Sequence, residues 1–426
     1  MVGTITDQLL EFATAEVPQD VTGMIRLSLF DWAACGIAGA READFAEFAR
    51  QQRAMGQGRA SVLGGGQTSA PAAALINGTL SHALDYDDTH FAHIGHPSVA
   101  VIPAVLALAE ETRADLPAVI AAAAIGMEAS VMVGLWLGRE HYQTGFHQTA
   151  TAGAFGATLG ACRLLGLEVV QSRHALGLCA SMASGIKAQF GTMGKPLNAG
   201  LAARSGIEAA LFAQAGMTAA QDGLAGPLGF GPTHHGAAAE VPPARDGWHM
   251  LEVSHKFHAC CHGLHAMLEA LGASGLRAGE VAEMHIHTHP RWMSVCNIAD
   301  PDTGLAAKFS YRQTAAMTLL GRDTGAADQF TDALAGDPEA VSLRQRITVS
   351  EAADLSETEA RIDLRLADGS TRQLRHDLMA PMTLPVRAGK LQRKAAALLN
   401  RDRADALWEA TGAQGLDRLT AQLVMS

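Results

Sequence analysis

"TAGAFGATLGACRLLGL", residues 151–167, decides the architecture. Alanine and glycine fill it, and no charge appears before Arg163. A helix made of such small side chains is apolar all round, the mark of a helix buried in a bundle. Small residues also let neighbouring backbones approach closely. "GLAARSGIEAALFAQAG" (200–216) repeats the style. "TGMIRLSLFDWAACGIAG" (22–39) reads as another helix, closing on Gly36 and Gly39. "SVAVIPAVLALAEETR" (98–113) reads as a fourth, with Ser98 as its N-cap. Residues 1–250 are therefore predicted to be mostly helical.

The style changes after about residue 275. "EVAEMHIHTHP" (280–290) alternates as a strand does and ends at a proline. "RIDLRLADGSTRQLRHDLM" (361–379) reads as a hairpin turning at Asp368-Gly369. "SYRQTAAMTLLG" and "DALAGDPEAVSLRQRI" between them are helical. The tail from Lys390 is amphipathic helix again and is read as returning to the first unit. The fold class is mainly α, a large all-helical domain plus a smaller α+β domain.

Composition narrows the function. A chain of 426 residues suggests two or three structural units, and 48% hydrophobic residues supply a large core. The formal net charge of −11, with no Lys/Arg run, argues against nucleic-acid binding. Any anionic ligand must then be held by a few local cations. Six cysteines without a CxxC pair point to reduced thiols and a cytoplasmic setting. The segment 116–137 has the length of a membrane span, but Glu128 near its middle makes it a core helix. No membrane association is expected.

Chemistry concentrates in "ALDYDDTHFAHIGHP" (83–97), three aspartates and three histidines in fifteen residues. Two site types fit it. A metal site would use His90 and His93 with Asp85, Asp87 or Asp88, but Gly95 and Pro97 break any helix there and the spacing matches no standard ligand set. His285, His287 and His289 share one strand face by period two, which reads as a solvated or subunit-contacting face. "HKFHACCHGLHA" (255–266) has no CxxC anchor for a metal. The second type is a metal-free acid/base site. A proton beside a carboxylate is weakly acidic, so its removal needs a shielded base and cations for the developing charge. Asp85, His96, His147, Lys195 and Lys256 are the candidates, each beside Gly, Pro or small residues at the edge of a buried helix.

At these residues the chain resembles the MmgE/PrpD family. "NGTLSHALDYDDTH" with "HPSVAVIPAVLALAE" resembles the principal signature, and "GFHQTATAGAFGATLGACRLLGL", "GTMGKPLNAGLAARSGIEAALFAQAGMT", "KFHACCHGLHAMLEAL" and "AAKFSYRQTAAMTLL" resemble further blocks in the same order. The resemblance implies a large helical domain over 1–268 and 386–426, a smaller α+β domain over 269–385, a cleft between them and a homodimer. It implies chemistry beside the carboxylates of a small di- or tricarboxylic acid, with no metal and no other cofactor. Carried over, the site falls on Asp85, Thr89, His96, His147, Lys195 and Lys256. Asp85, His96 and His147 are the catalytic candidates; Thr89, Lys195 and Lys256 bind substrate. Asn198 and His258 depart from the family pattern, where His and Tyr are common.

The expected activity is a cofactor-independent lyase of dehydratase or decarboxylase type. An epimerase of an iminodisuccinate-like dicarboxylate would use the same proton abstraction, and a metal-dependent hydrolase is the reading from another class. His96 and His147 are expected to be the proton-transfer pair, and the two lysines anion clamps. The block at 255–266 favours a smaller dicarboxylate over methylcitrate.

Overall fold

A computed structural model describes residues 3–425. It divides into two compact units. The first takes the chain up to His255 and again from Leu399; the second is Lys256–Leu398. The division therefore falls before the "KFHACCHGLHA" block and after most of the Leu384–Leu399 helix, not at 268/269 and 385/386. The reason lies in the His265–Ser274 helix, which packs on the Glu359–Leu366 and Thr371–Asp377 strands and so belongs with the sheet.

The first unit is a helical bundle with one two-residue β ladder, Ala60–Ser61 against Gln67–Thr68. At its centre the Gln148–Leu165 helix packs against Leu116–Thr144, Gly194–Gln214 and Ser98–Thr112. The glycines make this possible. A Cβ on Gly156 would lie 2.5 Å from the Gly126 carbonyl oxygen, and one on Gly206 would lie 2.7 Å from the Ala157 carbonyl carbon. Ala70–Ser81 meets Gly194–Gln214 the same way, since a Cβ on Gly78 would fall 2.8 Å from the Gly200 Cα. Among the described residues two helices are long and apolar enough to cross a membrane, Gln19–Gly39 and Leu116–Thr144, and both are mostly buried here. Glu128, inside the second of them, is fully engaged. It accepts from the His249 N–H at 3.0 Å, the Met250 N–H at 2.8 Å and His249 Nδ1 at 2.6 Å.

Ser98 is not the N-cap of its helix. Pro97 holds that position, and Ser98 instead donates its hydroxyl (2.7 Å) and N–H (3.3 Å) to Asp88 Oδ1. A carboxyl ten residues upstream thus takes the place of a local cap.

The second unit carries a four-stranded mixed sheet in the order Ile347–Glu351, Val281–Thr288, Glu359–Leu366, Thr371–Asp377. The first pair is parallel and the other two antiparallel. Alternation holds along Val281–Thr288: Met284, Ile286 and Thr288 are buried, while His285 and His287 are half-buried on the opposite face. The hairpin turns at Asp368-Gly369, where Gly369 has φ 86°.

The glycine contacts generate a stability prediction. Gly200→Ala would push a methyl to 2.2 Å from the Leu75 carbonyl oxygen. It should lower the melting temperature, the cost being about 1–3 kcal/mol as for other overpacked cores. Differential scanning calorimetry checks this, and an unchanged Tm would mean the helices yield freely.

Candidate active site

The Ala70–Ser81 helix ends just before His82. Asp85 then adopts a left-handed conformation (φ 50°), which aspartate tolerates better than most residues. The reversal returns Asp87 to the helix end. His82 Nδ1 donates to Asp87 Oδ1 at 2.9 Å, and His96 Nδ1 stands 2.7 Å from Asp87 Oδ2. One buried carboxylate therefore sits between two imidazoles. Burial pushes Asp87 up, but His82 and His96 outweigh it and hold the carboxyl well below the usual range.

His96 faces a second carboxylate, with Nε2 3.6 Å from Asp85 Oδ1. That is beyond hydrogen-bond length, so the nearer Asp87 favours a proton on Nδ1 and leaves Nε2 for exchange. Burial lowers His96 to about 4, with Asp87 opposing and His82 and Lys195 adding to the fall. The ring is neutral at neutral pH.

Lys195 follows a glycine and precedes a proline, residues that mark a loop, yet it is already helical. It is the second residue of the Gly194–Gln214 helix, an end where a cation is disfavoured by the helix dipole. Asp85 Oδ2, 2.8 Å from its ammonium, compensates. The Asp85 side chain is half exposed, whereas that of Lys195 is only 16% exposed. The partner of Lys195 is thus a carboxylate open to solvent, at a helix end that suits any anion. The ammonium also lies 5.5 Å from the centre of the Phe190 ring.

His147 precedes the Gln148–Leu165 helix as its N-cap residue. Its N–H donates to the Gly185 carbonyl at 3.0 Å. Its ring stacks 6.1 Å from His82 and meets Phe190 edge-on at 4.9 Å. Asn198 Nδ2 approaches His147 Nδ1 at 3.2 Å.

The first unit thus gathers Asp85, His96, His147 and Lys195 into one neighbourhood. Thr89 pairs with Ser254 by backbone hydrogen bonds of 2.9 and 2.7 Å, close by in sequence to the second unit. Lys256, the remaining candidate, is the first residue of that unit and is buried. His82, Asp87 and Asn198 are not among the acid/base and substrate-binding candidates drawn from sequence, although Asp87 is a candidate metal ligand there and Asn198 a departure from the family pattern. His82 and Asp87 meet only because of the Asp85 reversal, and no spacing rule signals it.

The other titratable groups of the motif are structural. His90 Nε2 donates to the His249 carbonyl at 2.9 Å, while its Nδ1 accepts the His93 N–H at 3.1 Å. His93 is packed against Gly134, where a Cβ would come within 2.0 Å of its Nδ1. Burial raises Asp88 to about 7 against the Ser98 hydrogen bonds, with Asp31 and Asp87 adding to the rise. On the strand, His285 bonds Thr348 and Ser350, His287 bonds Asp363, and His289 caps the Pro290–Val295 helix. All six cysteines are free thiols.

His82, Asp85, Asp87 and His96 offer ligand atoms within 4.8 Å of one another, the one such group among the described residues. A dication there would displace the contacts of both Nδ1 atoms with Asp87 and face the Lys195 ammonium. The arrangement fits an acid/base array better than a metal cradle.

Fold and site together define a two-unit, mainly helical protein with buried neutral imidazoles beside a lysine-held carboxylate. The model of the MmgE/PrpD N-terminal domain matches residues 3–240, and that of the MmgE/PrpD C-terminal domain residues 258–411. The chain belongs to the MmgE/PrpD family. It is similar to "Cis-aconitate decarboxylase" of Aspergillus terreus, at 27% identity over 401 residues, 84% of this chain and 81% of that one. The Mus musculus protein of the same name is 26% identical over 373 residues (79% and 74%). The Homo sapiens one is 33% identical over 181 residues (40% and 37%). The chain is an enzyme of this family's lyase type.

Burial sets a pH dependence. In the first unit His90, His96 and His141 are each lowered to about 4, and His93 and His147 well below their usual value, burial being the leading cause for all five. Between roughly pH 6.5 and 4 the unfolded chain binds protons that these rings refuse, so stability rises with pH there. Asp88, Glu110 and His249, all raised, act in the opposite sense but are fewer. The Tm should therefore fall from about pH 7 to about pH 5. A Tm that is flat or rises over that interval would show that the rings are charged in the folded state.

Proposed function

We propose that this enzyme is a lyase of decarboxylase or dehydratase type that needs no metal or organic cofactor and acts on a small di- or tricarboxylic acid. The observation that carries the reading is the pair of buried imidazoles, His96 and His147, beside Lys195 and its displaceable partner Asp85. The relatives' name makes cis-aconitate the first substrate to try. That favours a tricarboxylate over the smaller dicarboxylate suggested by the 255–266 block.

In a decarboxylation the C–C bond to a carboxylate breaks, CO2 leaves and the electron pair stays on the carbon frame until a proton is added. In a dehydration a C–H bond breaks and its proton passes to the base; the electron pair moves onto carbon and the adjoining carboxylate, and hydroxide leaves from the neighbouring carbon as water. Lys195 and Lys256 hold the substrate carboxylates and spread that charge. His96, neutral and oriented by Asp87, exchanges the proton at carbon. Asp85 releases Lys195 to the substrate. Thr89 binds a carboxylate oxygen. Binding energy is then concentrated on the charge that develops at the transition state. The same reading carries a cytoplasmic homodimer, and a sedimentation mass of one chain at micromolar concentration would overturn the dimer.

His96→Gln should fold and lose about 100- to 10,000-fold in kcat, the range for a missing acid or base, and His147→Gln should fold and lose about 100- to 1,000-fold, the range for a missing donor to developing charge. Lys195→Ala and Lys256→Ala should lose about tenfold to a hundredfold in kcat/KM, a charge-assisted hydrogen bond being worth roughly 1.5–3 kcal/mol. The assay follows cis-aconitate and related acids by NMR in D2O. Deuterium wash-in with inversion and no alkene or CO2 would make the enzyme an epimerase. Stoichiometric metal with chelator-sensitive activity would replace the array by a metal site.

A further inference from the structure

His147 meets a polar side chain that its position in the sequence does not advertise. Asn198 Nδ2 lies 3.2 Å from His147 Nδ1 and 3.4 Å from the Ile186 carbonyl oxygen. A carbonyl oxygen only accepts, so the amide nitrogen rather than the amide oxygen belongs on that side of Asn198. Its NH2 then donates to both neighbours, and Nδ1 of His147 is the accepting, unprotonated nitrogen. In a neutral imidazole this leaves the proton on Nε2. The arrangement is rigid. Asn198 is buried on the Gly194–Gln214 helix. The Gly185 carbonyl holds the His147 N–H, and Gly185 adopts φ 143°, where a Cβ would strike Ala150 at 2.6 Å.

We propose that Asn198 is a positioning residue that fixes His147 as the Nε2–H tautomer, so that His147 acts as a neutral hydrogen-bond donor to the substrate while His96 alone exchanges the proton. The role in catalysis rests on the function proposed above; the tautomer does not. A second proton on His147 would have to enter at Nδ1, facing an NH2 group, so the imidazolium is disfavoured. The groups around the ring act in the same direction on balance. Burial lowers its pKa most, His82, Lys195 and His96 lower it further, and Asp85 opposes them. A neutral N–H aimed at developing negative charge stabilises it without first having to lose a proton to solvent.

Histidine-selective 15N labelling of the full chain tests this with no substrate present, the His147 signals being those lost in His147→Gln. Wild type should show a pyridine-type Nδ1 and a pyrrole-type Nε2, unchanged down to about pH 5, below the ordinary histidine range. In Asn198→Asp a carboxylate faces Nδ1, so the two shifts should exchange and the ring should titrate at higher pH, against the same His82, His96, Lys195 and Asp85. A pyrrole-type Nδ1 in wild type overturns the proposal even if the variant fails to fold. So do unchanged shifts in a folded Asn198→Asp. With cis-aconitate as the probe, the variant should lose about 100-fold or more in kcat, as for a missing oxyanion donor, with KM changed far less. A swapped tautomer with wild-type kcat overturns the donor role. A wild type that turns over no carboxylic acid overturns the proposed function while leaving the tautomer result standing.

Discussion

The Asp87 carboxylate is the fixed point of the site. It is fully buried, a position that costs several kcal/mol for an ion unless its oxygens are engaged. His82 takes one oxygen and His96 approaches the other. Their rings are thereby turned towards a common centre, 4.5 Å apart edge to face. Removing the carboxylate would leave two buried imidazole Nδ1 atoms without their acceptor, so the orientation of His96 and the folding of the 82–97 segment are one problem.

The small-residue helices set the distances around that point. Gly78 and Gly200 allow Ala70–Ser81 and Gly194–Gln214 to touch backbone to backbone. His82 follows the end of the first of these helices, and Lys195 and Asn198 lie in the first turns of the second. The Gln148–Leu165 helix, pressed into the same bundle, brings His147 at its start. Bulkier side chains at the crossings would separate groups that must act on one small molecule. Close packing here therefore serves geometry as much as stability.

An acidic chain can hold an anion only if its own carboxylates are occupied. Asp85 is neutralised by Lys195, Glu128 by His249 and two backbone N–H groups, and Asp88 is held near protonation by burial. The buried histidines are kept neutral by the same loss of water. The local balance at Lys195 then differs from the formal charge of −11 for the whole chain.

Residue pattern alone was enough for the mainly helical first part, the strand alternation around Met284 and Ile286, and the hairpin at Gly369, because periodicity and turn chemistry are local. It also singled out Asp85, His96, His147 and Lys195 as candidates, whose residue types stand out among small apolar neighbours and which the first unit brings close together. It could not show that Asp88 replaces Ser98 as the cap, that Lys195 is already helical, or that the 256–268 segment belongs with the sheet. Nor could it separate Asp87, which orients His96, from Asp88, which anchors a helix, though the two are adjacent. Those roles depend on which face of a reversed chain each carboxylate takes. The left-handed Asp85 and its ion pair with Lys195, more than a hundred residues away, decide that, and neither leaves a mark in local spacing.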